Sequence, residues 1–247
     1  MAEHEYACTA RRAFGAHVLH LIVTQVVSQI GSRMSALALS IYIFGETGDV
    51  TPLALTALFQ FLPSVLGASV AGVLADRYDR RKVMMLADAG QALGTLLLLI
   101  SVATGSFQVW HLYVVGFVQS LFGMFQSPAF TASVTMMIPD GQRERANAMM
   151  QLVGPVAGII APTLTGMLYA AISLVGVIAL DLISFLIAVG VLFFVHIPRP
   201  PESAEGRAMK GSVLKEALGG LRLLWTMRPL FWMMLQISLV NFLVSGR

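Results

Sequence analysis

The chain has 247 residues, 57% hydrophobic and only 12% charged, with a formal net charge of +3. Its mean hydropathy of +0.78 excludes an ordinary soluble domain, in which about a quarter of residues are charged. So much apolar surface belongs in lipid, and stretches of about 20 apolar residues are long enough to cross a bilayer core of about 30 Å as helices.

Taken in order, the apolar runs predict spans over 14–44 and 52–75, the second with Thr51 as cap and Pro52 at the first helical position. Further spans are expected over 83–104, over 109–137 with a kink at Pro128, over 146–170 and over 173–196. A shorter seventh covers 229–245. Connections are short, so neighbouring helices run antiparallel. Period-two alternation, the mark of a barrel, is absent. The expected organisation is a six-helix membrane domain over 1–196, a linker over 197–228 and the start of a further helical unit over 229–247.

Fourteen of the 16 Lys and Arg residues fall at the amino terminus or in alternate connections: Arg11 and Arg12, the group from Arg77 to Lys82, Arg143 with Arg145, and the segment after residue 196. The opposite loops carry none, so the positive-inside rule predicts a cytoplasmic amino terminus in the cell (inner) membrane. Residues 1–12 are polar and the first span is long, which is unlike a cleaved secretory signal.

Between spans two and three stands GVLADRYDRRKVM, residues 72–84. Asp76 ends one helix and Arg80, Arg81 and Lys82 open the next, placements opposed to each helix's own dipole. Topology accounts for the cations but leaves the carboxylates unexplained. Gly72, Leu74, Ala75, Asp76, Arg77, Arg80 and Arg81 match the spacing of the loop between helices two and three of the major facilitator superfamily, G-x-L-A-D-R-x-G-R-[RK]. Asp79 replaces the second glycine, which resembles the branch holding macrolide and siderophore exporters. The stretches GSRMSALALSIYIFGETG, IPDGQRERANAMM and DLISF resemble the same branch, and the likeness covers roughly residues 14–245.

That resemblance implies an all-α transporter built from two six-helix halves, each made of two inverted three-helix repeats, that rock about a central site. It implies that the carboxylate at Asp76 latches onto the other half. This chain offers one half plus one helix, so a truncated chain is expected, or a homodimer supplying the second half. The linker HIPRPPESAEGRAMKGS reads as flexible, and residues 213–225 carry an apolar face suited to lying on the leaflet or to plain spacing.

In the fifth span Gly154, Gly158, Pro162 and Gly166 recur every four residues, a ladder for close helix packing or a degenerate form of the glycine and proline motif of family antiporters. Ala161 and Thr165 stand where that motif prefers glycine. Three charges lie inside spans, where each costs about 2.5 to 3.5 kcal/mol on insertion scales. Arg33 lies about 16 Å and Asp181 about 12 Å from the same membrane face by the helical rise, which suggests an ion pair, or else an Arg33 that faces the cavity as an anion or substrate contact. Asp88, about 9 Å into its helix, suits either pairing with Arg80 or Arg81 or acceptance of a coupling proton.

Weaker signals add little. Cys8 is solitary, and His17 and His20 lack a third ligand, so no metal site is expected. No phosphate-cradling G-x-x-x-x-G-K-[ST] supports an ATP-driven pump. Phe59, Phe61, Phe122 and Phe125 suit helix packing or an apolar ligand. The sequence thus predicts a proton-driven secondary exporter of small amphipathic compounds. The alternative is a half-protein without transport of its own, acting as a scaffold or needing a second half. No enzyme activity, cofactor or nucleic-acid partner is expected.

Overall fold

The computed structural model describes residues 2–138 and 143–195, with Pro229, Trp232, Met233 and Gln236 beyond them. Within its helices, the side chains of 2–18, 68–70, 72–73, 75–77, 143 and 145 lie outside that description. The linker and the expected seventh helix also lie outside the described residues, apart from those four positions.

All regular structure among the described residues is helical. The helices are α1 (Ala2–Thr47), α2 (Thr51–Arg77), α3 (Arg80–Ala103), α4 (Val109–Met137) and α5 (Arg143–Phe194). A single non-helical residue, Ser173 (φ 62°, ψ 178°), breaks α5 into a first arm, 143–172, and a second, 174–194. The polar amino terminus does not stop α1, which begins well before the expected residue 14. Val50, not Thr51, precedes α2, so Thr51 and Pro52 are its first two residues. Asp49 accepts hydrogen bonds from the backbone N–H of Thr51 at 2.9 Å and its hydroxyl at 2.8 Å. These bonds, the backbone one foremost, hold the Asp49 carboxyl below the usual carboxylate range.

Among the described residues, three stretches combine the length and apolarity of a membrane span: Leu19–Thr47, Arg80–Ala103 and Ala146–Phe194. Helices α2, at 27 residues, and α4, at 29, are long enough as well. In α4 the average is lowered by Gln119, Ser120, Gln126 and Ser127, polar residues set among its apolar ones.

Packing follows a swap of two triplets. Helix α1 packs on α5, α2 on α4, and α3 on both α4 and α5. Exchanging α1, α2 and α3 with α4, the first arm and the second arm returns the same set of neighbours, the arrangement inverted three-helix repeats require. Two apolar clusters lie toward opposite ends of the bundle. One gathers Leu21, Met84, Val134 and Leu192; the other gathers Ala38, Leu98, Leu112 and Val177. Between them, at intermediate positions of every contributing helix, lies a polar layer.

Candidate functional site

The polar layer is built from α1, α3, α4 and the second arm of α5. Asp88 on α3 is fully buried. Its carboxylate accepts from the amide of Gln25 on α1 at 3.4 Å and from the amide of Gln126 on α4. Gln126 also donates to Gln25 Oε1 at 3.1 Å and accepts from Gln91 at 2.7 Å. Gln119 reaches the Gln91 carbonyl at 3.4 Å and the Thr95 hydroxyl at 2.9 Å. Thr95 in turn lies 3.5 Å from Asp181, the second buried carboxylate. Asp181 accepts from Ser32 at 3.1 Å, and the buried Ser35 hydroxyl lies beside it without a well-formed bond. An unbroken run of polar groups thus joins the two carboxyls across the half.

The swap that relates the helices also relates these residues. Asp181 follows Asp88 by 93 residues, and Gln119 follows Gln25, as Gln126 follows Ser32, by 94. Because α3 begins at Arg80, Asp88 lies eight residues into it, or about 12 Å rather than 9 Å. Asp181 lies eight residues past Ser173, also about 12 Å, from the opposite end.

Close approach makes the contact at Asp181 possible. A side chain on Gly31 would bring its Cβ to 2.8 Å from Ser184 Oγ and 3.0 Å from Asp181 Oδ1. Arg33, two residues on, does not pair with Asp181. Successive helical residues turn by about 100°, and Arg33 lies against the first arm of α5. Its Nη1 stands 3.4 Å from where a Cβ on Gly158 would lie, and Nη2 4.0 Å from one on Gly154. The equal-depth ion pair is therefore corrected: Asp181 is held by hydroxyls, and no described residue hydrogen-bonds or ion-pairs with Arg33. Nor does Asp88 meet Arg80 or Arg81, since two amides hold it.

The ladder on the first arm lies beside its buried stripe. That stripe includes Val153, Ala157, Ala161 and Thr165, one position before each of Gly154, Gly158, Pro162 and Gly166. Gly154 and Gly158 make room for the Arg33 guanidinium, and nothing lies within 4 Å of a Cβ on Gly166.

Two cavities meet at Arg33. The larger, about 280 Å³, is lined by Gln25, Gln29, Ser32, Gln91, Gln126 and Arg33 among others. The second, about 240 Å³, runs between α1 and α5 past Ala36, Leu37, Gly158 and Pro162. Of the aromatics, Phe59 stacks on Tyr113 at 5.4 Å. Phe122 and Phe125 border an apolar cavity of about 330 Å³ near Tyr78 and Leu86.

The loop between α2 and α3 shrinks to Tyr78 and Asp79. Asp79 is the N-cap of α3, accepting from the Arg81 N–H at 3.1 Å, so local helix energetics did select this carboxylate. The two arginines oppose the dipole of their own helix but serve the carboxyl ends of others. Arg80 donates to the Ala132 carbonyl at 3.2 Å and to Met136 near the end of α4. Arg81 donates to the Leu192 carbonyl at 2.7 Å and to that of Phe193 at the end of α5, with its guanidinium 5.8 Å from the Phe193 ring centre. Cations are favoured at both places by the negative helix end. Gly72, Asp76 and Arg77 are helical in α2, but their side chains lie outside the described residues.

Sequence reasoning found the carboxylates and passed over Gln25, Gln91, Thr95, Gln119 and Gln126. Their signal was polar residues recurring three, four or seven apart inside apolar helices, as in 25, 28, 32 and 88, 91, 95.

The family model described as Major Facilitator Superfamily matches residues 21–246. The chain is 28% identical over 218 residues to Macrolide efflux protein A of Streptococcus pyogenes, covering 88% of this chain and 53% of that protein. It is 26% identical over 162 residues to Enterobactin exporter EntS of Shigella flexneri, 64% of this chain and 38% of the exporter. The chain thus spans about half the length of the curated relatives it matches. In fold it is similar to the POT family transporter PepTSo, with a TM-score of 0.62 and 12% identity over 76% of this chain and 40% of that one. A peptide transporter POT gives 0.58 and 18% over 92% and 49%.

Proposed function

Because the chain belongs to the Major Facilitator Superfamily, we propose that it forms one half of a proton-driven secondary exporter of small amphipathic compounds in the cell membrane, with its amino terminus in the cytoplasm. The other half comes from further chain or from a second copy, and the signature carboxylate Asp76 docks on it to close the basic side. Relatives described as macrolide and enterobactin exporters support the direction and the class of cargo.

One observation carries the coupling. Gln25 and Gln126 line the larger cavity and also hold the Asp88 carboxylate. The same two amides therefore face the cargo and respond to the protonation of Asp88. A carboxylate buried without a cation is costly in lipid, and a proton neutralises it. Ionised, the carboxylate pins both amides and so fixes the polar wall that receives the cargo; protonated, it lets them go and the cargo leaves, so that cargo and proton alternate as exchange requires. Asp181, held by its own set of hydroxyls, is the second candidate carrier.

The test is accumulation of a radiolabelled macrolide by cells expressing the full-length protein. Lower accumulation than in vector controls, abolished by a protonophore, is the expected result. Accumulation equal to the control, or export indifferent to the protonophore, would overturn the corresponding half of the reading.

A further inference from the structure

Arg33 is a cation within the apolar part of α1, on the exposed side of that helix. Asp181, the carboxylate at its depth, is engaged elsewhere, and no described residue hydrogen-bonds or ion-pairs with the guanidinium. Burying or half-burying such a group in membrane is costly without an anionic partner. The fold nevertheless makes room for it. Gly154 and Gly158 leave the flank of α5 bare where the guanidinium lies, and a Cβ on Gly158 would already touch Nη1 at 3.4 Å.

The surroundings favour one ligand chemistry. Gln29, exposed and one turn before Arg33, shares its helix face and lines the same cavity. On one side of the guanidinium lies the glutamine-lined space of about 280 Å³. On the other lies the groove of about 240 Å³ bordered by Ala36, Leu37 and Pro162. A planar guanidinium offers paired donors to a carboxylate or phenolate, and an apolar body attached to that head would fill the groove.

We propose that Arg33 anchors an anion subsite that takes the carboxylate or phenolate head of an organic ligand, with the ligand's apolar body lying along the groove between α1 and α5. That this anion is cargo rests on the exporter reading; that it binds does not. The experiment therefore measures binding alone.

Full-length protein in lipid nanodiscs would be titrated with 1-naphthoate and with its neutral counterpart 1-naphthamide. Wild type should bind naphthoate at least tenfold more tightly. Arg33→Gln should abolish that preference, Arg33→Lys should keep part of it, and Gly158→Leu should weaken both ligands by filling the groove. Inorganic phosphate should displace naphthoate only weakly, because it lacks an apolar body. Equal binding of the two ligands by wild type would overturn the proposal and point instead to a carboxylate of the second half as the partner of Arg33. An unchanged preference in Arg33→Gln, or phosphate as effective as naphthoate, would overturn it as well. Should Arg33→Gln fail to fold, Arg33→Lys and Gly158→Leu carry the same decision.

Discussion

Asp88 and Asp181 are one position occupied twice. Each lies about 12 Å from its own end of the bundle, each is buried to within 2%, and each receives hydrogen bonds from neutral side chains on neighbouring helices. Shape-preserving Asp88→Asn and Asp181→Asn should both leave the thermal midpoint within a few degrees of wild type. Export should fall at least tenfold and lose its response to a protonophore in at least one of them. Asp88→Leu should instead destabilise by about 1 to 3 kcal/mol, because Gln25 and Gln126 would lose their acceptor. Full export by both amide variants would limit the carboxyls to a packing role.

Capping at Asp79 makes a second prediction. Replacement by alanine should cost about 1 kcal/mol, while glycine, which serves an N-cap nearly as well, should cost a few tenths. Thermal melts of Asp79→Ala and Asp79→Gly in detergent would separate them. Equal losses would mean that the cap bond contributes little. The same reasoning explains how Asp79 can stand where the related signature has glycine.

At Arg81 the expected loss is about 1 kcal/mol for Arg81→Ala, at the low end for charge-assisted bonds because the side chain is partly exposed. Arg81→Lys should recover less than half, since one ammonium cannot span the Leu192 and Phe193 carbonyls as a guanidinium does. Proteolysis near residue 195 should quicken in both variants; unchanged cleavage would show that the end of α5 is held by something else.

Ser173 adopts a positive φ with extended ψ, a region nearly confined to glycine and costing about 1 to 3 kcal/mol for other residues. Ser173→Gly should raise stability by about 1 kcal/mol, the unfolded-chain entropy of glycine offsetting part of the relief. A lower melting point would contradict the strained turn.

Orientation is open to direct labelling. In a Cys8→Ala background, Glu46→Cys should react with an impermeant maleimide added to intact cells, and Lys82→Cys should react only after permeabilisation. The reverse pattern would invert the topology.

Depth was legible in the sequence and azimuth was not. The apolar runs placed α4 at 109–137, as found, and residue counting placed Arg33 and Asp181 at one level. Which way each side chain turns depends on how α1 seats between the two arms of α5, and one residue is a rotation of about 100°. Ser32 therefore meets Asp181 while Arg33 meets Gly158. The same single-residue offset sets the buried stripe of the first arm, Val153, Ala157, Ala161 and Thr165, beside the ladder of Gly154, Gly158, Pro162 and Gly166. Arg80 and Arg81 read as topology signals because the carbonyls they serve lie 52 and 111 residues away.

Arg81 grips α5 by main-chain oxygens, and a main-chain oxygen has no side-chain identity to change. Leucine at 192 can be exchanged for other apolar residues without altering what the guanidinium meets, and at 193 only the ring beside it would change, not the carbonyls that accept from it. These hydrogen bonds should therefore leave no correlated substitutions in a set of related sequences, although they join the start of one repeat's last helix to the end of the other's. Methods that infer proximity from paired changes will be blind to them, and a suppressor screen starting from an Arg81 variant should return compensating changes elsewhere rather than at 192 or 193.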